Sequence, residues 1–125
     1  MVITALYAAF LTLFYLVLSA NVSRLRLKHR ISLGAGELPK LERAMRAHGN
    51  FIEYVPLILI LMGLLESLGG SAIALHLIGS FLFIARLSHA SCLCVKYVAI
   101  LRQVGALITY VLLFLSAVMV LLAAL

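Results

Sequence analysis

Long apolar runs alternate with short polar stretches along the chain, a pattern typical of a protein that crosses a membrane several times. Residues 1–23 and residues 103–125 contain no charged side chain. A helix needs about 20 mostly apolar residues to cross a bilayer, because it rises only about 1.5 Å per residue. Each of these two runs therefore predicts one membrane-spanning helix.

The second span must begin well before its apolar core. The 12 residues between Glu53 and Glu66 are uncharged, but they give only about 18 Å of helix, which is too short to cross a membrane. A helix that starts near Pro39 is long enough, and it places Arg46 and Asn50 within or at the edge of the membrane. We therefore predict an all-α fold, an integral membrane four-helix bundle in one domain over residues 1–125, with spans at about 2–23, 40–66, 71–91 and 103–124.

Composition supports a membrane protein. Hydrophobic residues make up 66% of the chain and charged residues 11%, whereas soluble domains are about 45–50% apolar. This excess excludes a soluble fold of this size and a disordered chain. The two cysteines are too few for a disulfide scaffold. The lipid bilayer is therefore the expected partner.

The positive charges are placed unevenly. The net charge is +6, and all ten lysines and arginines fall in residues 24–46 and 86–102, which lie on the same side of a four-span topology. Because basic loops stay in the cytoplasm, we predict cytoplasmic basic loops and both termini on the opposite side, in the inner membrane if the protein is bacterial. Basic residues between apolar runs also fit lipid headgroups, so we expect no nucleic-acid partner.

A polar stripe marks the start of the second helix. At 100° per residue, its members fall within about 100° of arc, which is the width of one helix face: Glu42, Arg43, Arg46, Asn50 and Glu53. His48 points to the opposite side. Two interpretations are open. The charges pair with one another, as buried charges require, or they form a ligand site, as ionisable residues in membranes usually do.

Around this stripe the chain reads Glu42-Arg43-x-x-Arg46-Ala47-His48-x-Asn50-x-x-Glu53-x-x-Pro56. This spacing resembles the signature of the MAPEG family, the membrane-associated proteins in eicosanoid and glutathione metabolism, which include microsomal glutathione transferases. The resemblance implies a homotrimer of four-helix bundles. It also implies that glutathione binds between neighbouring subunits near the cytoplasmic surface, while a lipophilic small-molecule substrate enters from the bilayer.

The resemblance also implies roles for single residues in glutathione binding. At the end of the first helix, the expected contact is Arg24, with Arg26 as the second choice. In the second helix, glutathione is expected to contact Arg46, Asn50, Glu53 and the following Tyr54. In the third helix, an R-x-x-H pair resembles that of several family branches, and its first member, Arg86, is expected to hold the tripeptide.

Catalysis is expected from the second half of the chain. Arg102 follows Arg86 by 16 residues, the distance seen in several family branches. We expect Arg102 to stabilise the glutathione thiolate with the help of His89, because a nearby cation lowers the pKa of a thiol. The tyrosines that compete as hydrogen-bond donors to the thiol are Tyr54, Tyr97 and Tyr110.

Other candidate residues favour structural roles. Cys92 and Cys94, with His89 nearby, provide too few ligands for zinc, which usually takes about four, so we expect no metal. His76 is expected to be a hydrogen-bonded structural histidine, and Glu66 a solvated carboxylate at a turn. The resemblance thus favours a membrane-bound glutathione transferase or peroxidase that conjugates or reduces lipophilic electrophiles. The rival functions are a non-catalytic glutathione-binding membrane scaffold and a small four-helix multidrug exporter. An exporter usually needs an isolated intramembrane acid, and the first helix contains none.

Overall fold

The computed structural model describes residues 1–95 and 98–125. These residues form four helices, α1 (Val2–His29), α2 (Pro39–Ser67), α3 (Ala72–Cys94) and α4 (Ala99–Ala124). All four are long and apolar enough to span a membrane. Even α3, with 23 residues, is about 35 Å long, which exceeds the roughly 30 Å hydrocarbon core. The predicted all-helical, membrane-spanning fold is confirmed.

Helices α1 and α4 are longer than the apolar runs alone predict. Both extend at the end of the bundle that carries the basic residues, the basic end. Helix α1 continues past the expected end near residue 23 to His29, and it ends where Arg30 adopts a left-handed conformation with φ 54°. Helix α4 begins at Ala99 rather than near residue 103. Basic side chains in the last turn of α1 face the negative end of its dipole, which stabilises this extension.

Helices α2 and α3 form the centre of the bundle. Each of them contacts the other three helices, whereas α1 packs on α2 and α3, and α4 packs on the same pair. The buried side chains come from all four helices and include Leu11, Leu18, Phe51, Val55, Ile58, Met62, Leu75, Ile78, Leu82, Leu93 and Leu112. Many large apolar side chains point outward instead, as expected for surfaces that face lipid.

Glu66, near the end of α2, binds the start of α1 at the end of the bundle away from the basic residues. Its carboxylate accepts hydrogen bonds from the backbone N–H groups of Ile3, at 3.0 Å, and Thr4, at 2.9 Å. The N-terminal amine of Met1 lies 3.6 Å away. The first N–H groups of a helix lack acceptors within the helix. The carboxylate of Glu66 is the acceptor for two of them in α1. The prediction of a solvated carboxylate is therefore wrong.

His76 has the structural role that the sequence predicts. Its Nδ1 lies 3.1 Å from the hydroxyl of Tyr7, and that hydroxyl also lies 2.8 Å from the Oγ of Ser80. The Tyr7 ring lies so close to Gly79 that an added Cβ would be 2.4 Å from it. These contacts pack α1 against α3.

Candidate functional site

A cavity of about 780 Å³ opens at the basic end of the bundle. Its walls are the first half of α2, the end of α3, the start of α4 and one loop residue: Ala35, Glu42, Arg43, Met45, Arg46, Gly49, Asn50, Glu53, His89, Leu93 and Arg102. Pockets for small molecules usually measure about 300–1,000 Å³. The cavity is therefore large enough for a small peptide-like ligand.

The polar stripe of α2 forms one wall of this cavity. All five stripe residues line it: Glu42, Arg43, Arg46, Asn50 and Glu53. His48 lies on the opposite side of the helix, where its Nε2 is 3.1 Å from the Oγ of Ser19 and its ring stacks on Tyr15. The predicted shared face of these residues is confirmed, because their spacing follows the helical period.

The stripe does not neutralise itself. Within residues 1–95 and 98–125, neither Glu42 nor Glu53 forms a salt bridge with an arginine, and the salt bridge present there joins Met1 to Glu66. Of the two interpretations of the stripe, internal ion pairing is therefore wrong. The charged groups remain available to a ligand in the cavity.

The opposite wall carries the residues expected to act on a thiol. His89 is 6% exposed, and Arg102 extends from the first turn of α4 into the same cavity. Three residues after His89, the Sγ of Cys92 donates to the carbonyl oxygen of Val98 at 3.2 Å. This bond links α3 to the start of α4 and so helps to set the position of Arg102.

Arg86 lies behind the cavity rather than in its wall. Its side chain is only 2% exposed, and its Nη1 donates to Oδ1 of Asn50 at 2.6 Å. Its Nη2 donates to the carbonyl oxygen of Gly105 at 3.1 Å and to the hydroxyl of Thr109. The hydroxyl of Thr109 in turn donates to the Gly105 carbonyl at 2.9 Å. One guanidinium thus joins α2, α3 and α4.

Sequence reasoning missed Thr109 and Gly105, although both leave a signal in the chain. They interrupt the apolar pattern of α4, and a polar residue inside an apolar helix usually has a partner. A Cβ at Gly105 would lie 2.8 Å from the carbonyl oxygen of Ala85. Glycine therefore allows α3 and α4 to approach closely enough for Arg86 to reach across.

Besides Arg86, three other residues predicted to bind glutathione lie outside the cavity lining. Arg24 is exposed and donates to Oδ1 of Asn21 at 3.1 Å. Arg26 donates to the carbonyl oxygens of the loop after α1, and so holds that loop in place. Tyr54 packs edge-to-face on Tyr110, with ring centroids 5.2 Å apart. Tyr97 lies outside the described residues.

The cavity suits a ligand that carries several charges. It contains three arginines and two glutamates, so its lining carries one net positive charge (3 − 2). Arginine binds carboxylates with paired hydrogen bonds, and glutamate accepts hydrogen bonds from an ammonium. In the part of the chain that the structure describes, no group of three or more His, Cys, Asp or Glu residues could hold a metal ion.

Comparison with known proteins places the whole bundle in one family. The sequence model of the MAPEG family matches residues 4–122. Two curated relatives, each named Inner membrane protein YecN, come from Escherichia coli strain K12 and Escherichia coli O6:H1. Each is 37% identical over 87 residues, which is 70% of this chain and 66% of the relative, just under two thirds of its length. With its four spanning helices, the chain is a multi-pass integral membrane protein.

Proposed function

Because the chain belongs to the MAPEG family, as its helix-two motif predicts, we propose that it binds glutathione in the cavity and directs the thiol against lipophilic electrophiles. The observation that carries this proposal is the cavity at the basic end, whose charged residues have no ion-pair partners within the described chain. Charged groups placed in or near a membrane without such partners are expensive. A charged ligand offsets that expense.

Glutathione matches the cavity group by group. It carries two carboxylates, one ammonium, two peptide groups and a thiol. In the proposed complex, the lining residues Arg43 and Arg46 bind carboxylates, Glu42 and Glu53 accept from the ammonium, and Asn50 bonds a peptide or carboxylate oxygen. Each charge-assisted hydrogen bond contributes about 1.5–3 kcal/mol. Three or four such bonds are sufficient for affinity in the micromolar to millimolar range, given the entropy lost on binding.

The thiol is activated from the opposite wall. A free thiol has a pKa of about 8.5 and is mostly protonated at neutral pH, whereas the thiolate is the nucleophile. Lowering the thiol pKa by about two units takes about 2.7 kcal/mol of preferential stabilisation of the anion. Arg102 supplies most of it through one charge-assisted hydrogen bond, and His89 donates a second where its tautomer allows.

The reaction then forms a bond from glutathione sulfur to the electrophile. In conjugation, the sulfur–carbon bond forms while the bond to the leaving group breaks, and the thiol proton goes to water at the basic end. In peroxide reduction, two glutathione molecules are oxidised to the disulfide while the peroxide becomes an alcohol and water. The exposed apolar side chains of the bundle face the bilayer, from which a lipophilic substrate enters.

A neighbouring subunit completes the proposed site. Four charged residues of the cavity are exposed in the single chain: Glu42, Arg46, Glu53 and Arg102. Exposed charges on a membrane protein favour contact with another polar surface, and a homotrimer with its sites between subunits provides one. We propose that the basic end lies in the cytoplasm, where glutathione is abundant, and both termini on the opposite side of the membrane, which is the inner membrane if the protein is bacterial.

The test is a glutathione titration of the purified protein in detergent, followed by the ultraviolet absorbance of the thiolate. We expect the wild type to generate thiolate at neutral pH. The Arg46→Ala variant should bind glutathione about tenfold more weakly or worse, the loss of one charge-assisted bond. Arg102→Ala should bind it but generate little thiolate. Lys28→Ala, which removes an exposed cation in the last turn of α1, is the matched control and should behave as wild type.

Four outcomes test the proposed function and its rivals. Thiolate formation with turnover of lipophilic electrophiles supports a glutathione transferase or peroxidase. Binding without turnover of any electrophile identifies a glutathione-binding scaffold. Full glutathione-dependent turnover by Arg102→Ala removes Arg102 from the catalytic role, and no binding at all by the wild type refutes the proposal.

A further inference from the structure

Arg86 lies outside the cavity wall, yet it fixes the orientation of Asn50, a side chain that lines the cavity. It donates to Oδ1 of Asn50 at 2.6 Å from a position that is 2% exposed, and Asn50 lines the cavity whereas Arg86 does not. The other end of its guanidinium is fastened to Gly105 and Thr109 of α4. The guanidinium is thus held from two helices, and it holds the amide of a third.

This contact decides which end of the amide points where. An asparagine side chain has one accepting oxygen and one NH₂ group that donates twice. A guanidinium has five N–H donors, accepts nothing and keeps its proton in proteins. The atom of Asn50 that faces Arg86 is therefore the oxygen, and the NH₂ group is left as the part available to the cavity. A ligand atom that meets this NH₂ group must then be an acceptor.

The positive charge of Arg86 favours one kind of ligand acceptor beside Asn50. The partners of Arg86 are an amide, a carbonyl and a hydroxyl, and within residues 1–95 and 98–125 it forms no salt bridge with a carboxylate. A buried cation without a counter-ion gives a positive potential around it, because the surrounding dielectric is low. A carboxylate beside Asn50 is favoured over a neutral carbonyl by that potential.

We propose that Arg86 is a positioning residue that fixes Asn50 as a hydrogen-bond donor and thereby selects a ligand carboxylate at this end of the cavity. The inference rests on the proposed function, with glutathione as the ligand. It differs from the role that the sequence predicts for Arg86, because the guanidinium acts through Asn50 rather than by contact with the tripeptide. It also links the choice of ligand to the packing of α4.

The test compares glutathione with two analogues that each lack one carboxylate. These are glutathione ethyl ester, blocked at glycine, and γ-aminobutyryl-cysteinyl-glycine, which lacks the carboxylate of the glutamyl residue. In the wild type, removal of one particular carboxylate should weaken binding by about tenfold or more. In Arg86→Met, the preference for that carboxylate should fall to about threefold or less, while sensitivity to the other carboxylate stays as in the wild type. A loss of packing alone would weaken all three ligands alike.

Two further variants keep the proposal testable if Arg86→Met does not fold. Arg86→Lys retains the charge and one bond, and it should recover part of the preference. Asn50→Asp gives Arg86 a carboxylate to pair with, so it should fold as stably as wild type, yet it turns an acceptor toward the ligand. We expect Asn50→Asp to bind glutathione about tenfold more weakly or worse.

The results that overturn the inference are distinct from those that overturn the proposed function. If the wild type binds no glutathione, the proposed function fails and this inference fails with it. If the wild type binds glutathione but Arg86→Met keeps the full preference between analogues, only the inference fails. Wild-type affinity in Asn50→Asp has the same meaning, because it shows that no donor is needed at that position.

Discussion

Replacing Thr109 with valine should destabilise the bundle measurably, although the two side chains have nearly the same shape. Thr109 is completely buried, and its hydroxyl accepts from Nη2 of Arg86 and donates to the carbonyl oxygen of Gly105. The Thr109→Val substitution removes both bonds and leaves an apolar methyl against a guanidinium. The packing of α3 on α4 stays otherwise unchanged.

The magnitude follows from what Arg86 retains. Hydrogen bonds between helices in a membrane contribute about 0.6 kcal/mol on average, whereas a buried bond to a charged group contributes about 1.5–3 kcal/mol. Arg86 keeps its bonds to Asn50 and Gly105, so the loss lies near the lower end of the second range. We expect Thr109→Val to lower the free energy of unfolding by about 1.5–2 kcal/mol.

The assay is equilibrium unfolding of the purified protein in mixed micelles, and α4 provides a matched control. Ser116 is also completely buried, but its hydroxyl has no hydrogen-bond partner among the residues that the structure describes. Removing an unpaired hydroxyl is nearly neutral or stabilising, so Ser116→Ala should not lower the free energy of unfolding. Equal effects of Thr109→Val and Ser116→Ala would refute the Arg86 network. Thr109→Ser keeps the hydroxyl but removes a buried methyl group, which costs about 0.8 kcal/mol, so it should recover about half of the loss.

Three more predictions follow from contacts and charges described above. Glu66→Gln should lower the unfolding midpoint, because it removes the charge that faces the N–H groups of Ile3 and Thr4; an unchanged midpoint would mean that water replaces it. Gly105→Ala should cost about 1–3 kcal/mol in the free energy of unfolding through overpacking, since its Cβ would lie 2.8 Å from the Ala85 oxygen, and a stable variant would argue against this close approach. Glutathione affinity measured by titration should fall between 0.1 and 1 M salt, as the screening length shrinks from about 10 Å to about 3 Å, and salt-independent binding would exclude the exposed arginines as its source.

The polar face of α2 could be read from the sequence because it depends only on helical periodicity. Arg46, Asn50 and Glu53 recur at spacings that bring them to one side of any helix, and the cavity indeed contains all three. The membrane spans could be read for a similar reason, because the length of an apolar run is a local property. The structure differs from the predicted spans at the helix ends, where basic side chains prolong α1.

The role of Glu66 could not be read in the same way. It depends on contact with Thr4, which is 62 residues away in the chain, and nothing in the local sequence specifies that approach. The change of Arg86 from a predicted ligand contact to a buried support has the same origin. Its exposure is decided by Gly105 and Thr109 on another helix, and sequence spacing alone does not fix how two helices pack.

The bond between Arg86 and Asn50 has a consequence for the entropy of binding. Immobilising a flexible side chain at an interface costs about 0.5–1.5 kcal/mol, and the amide of Asn50 is already immobile before any ligand arrives. The exposed arginines of the cavity, Arg46 and Arg102, still lose rotamer freedom when they bind. The Asn50 amide is thus preorganised during folding while the two arginines become ordered on association, so rigidifying these arginines is the route by which affinity has most to gain.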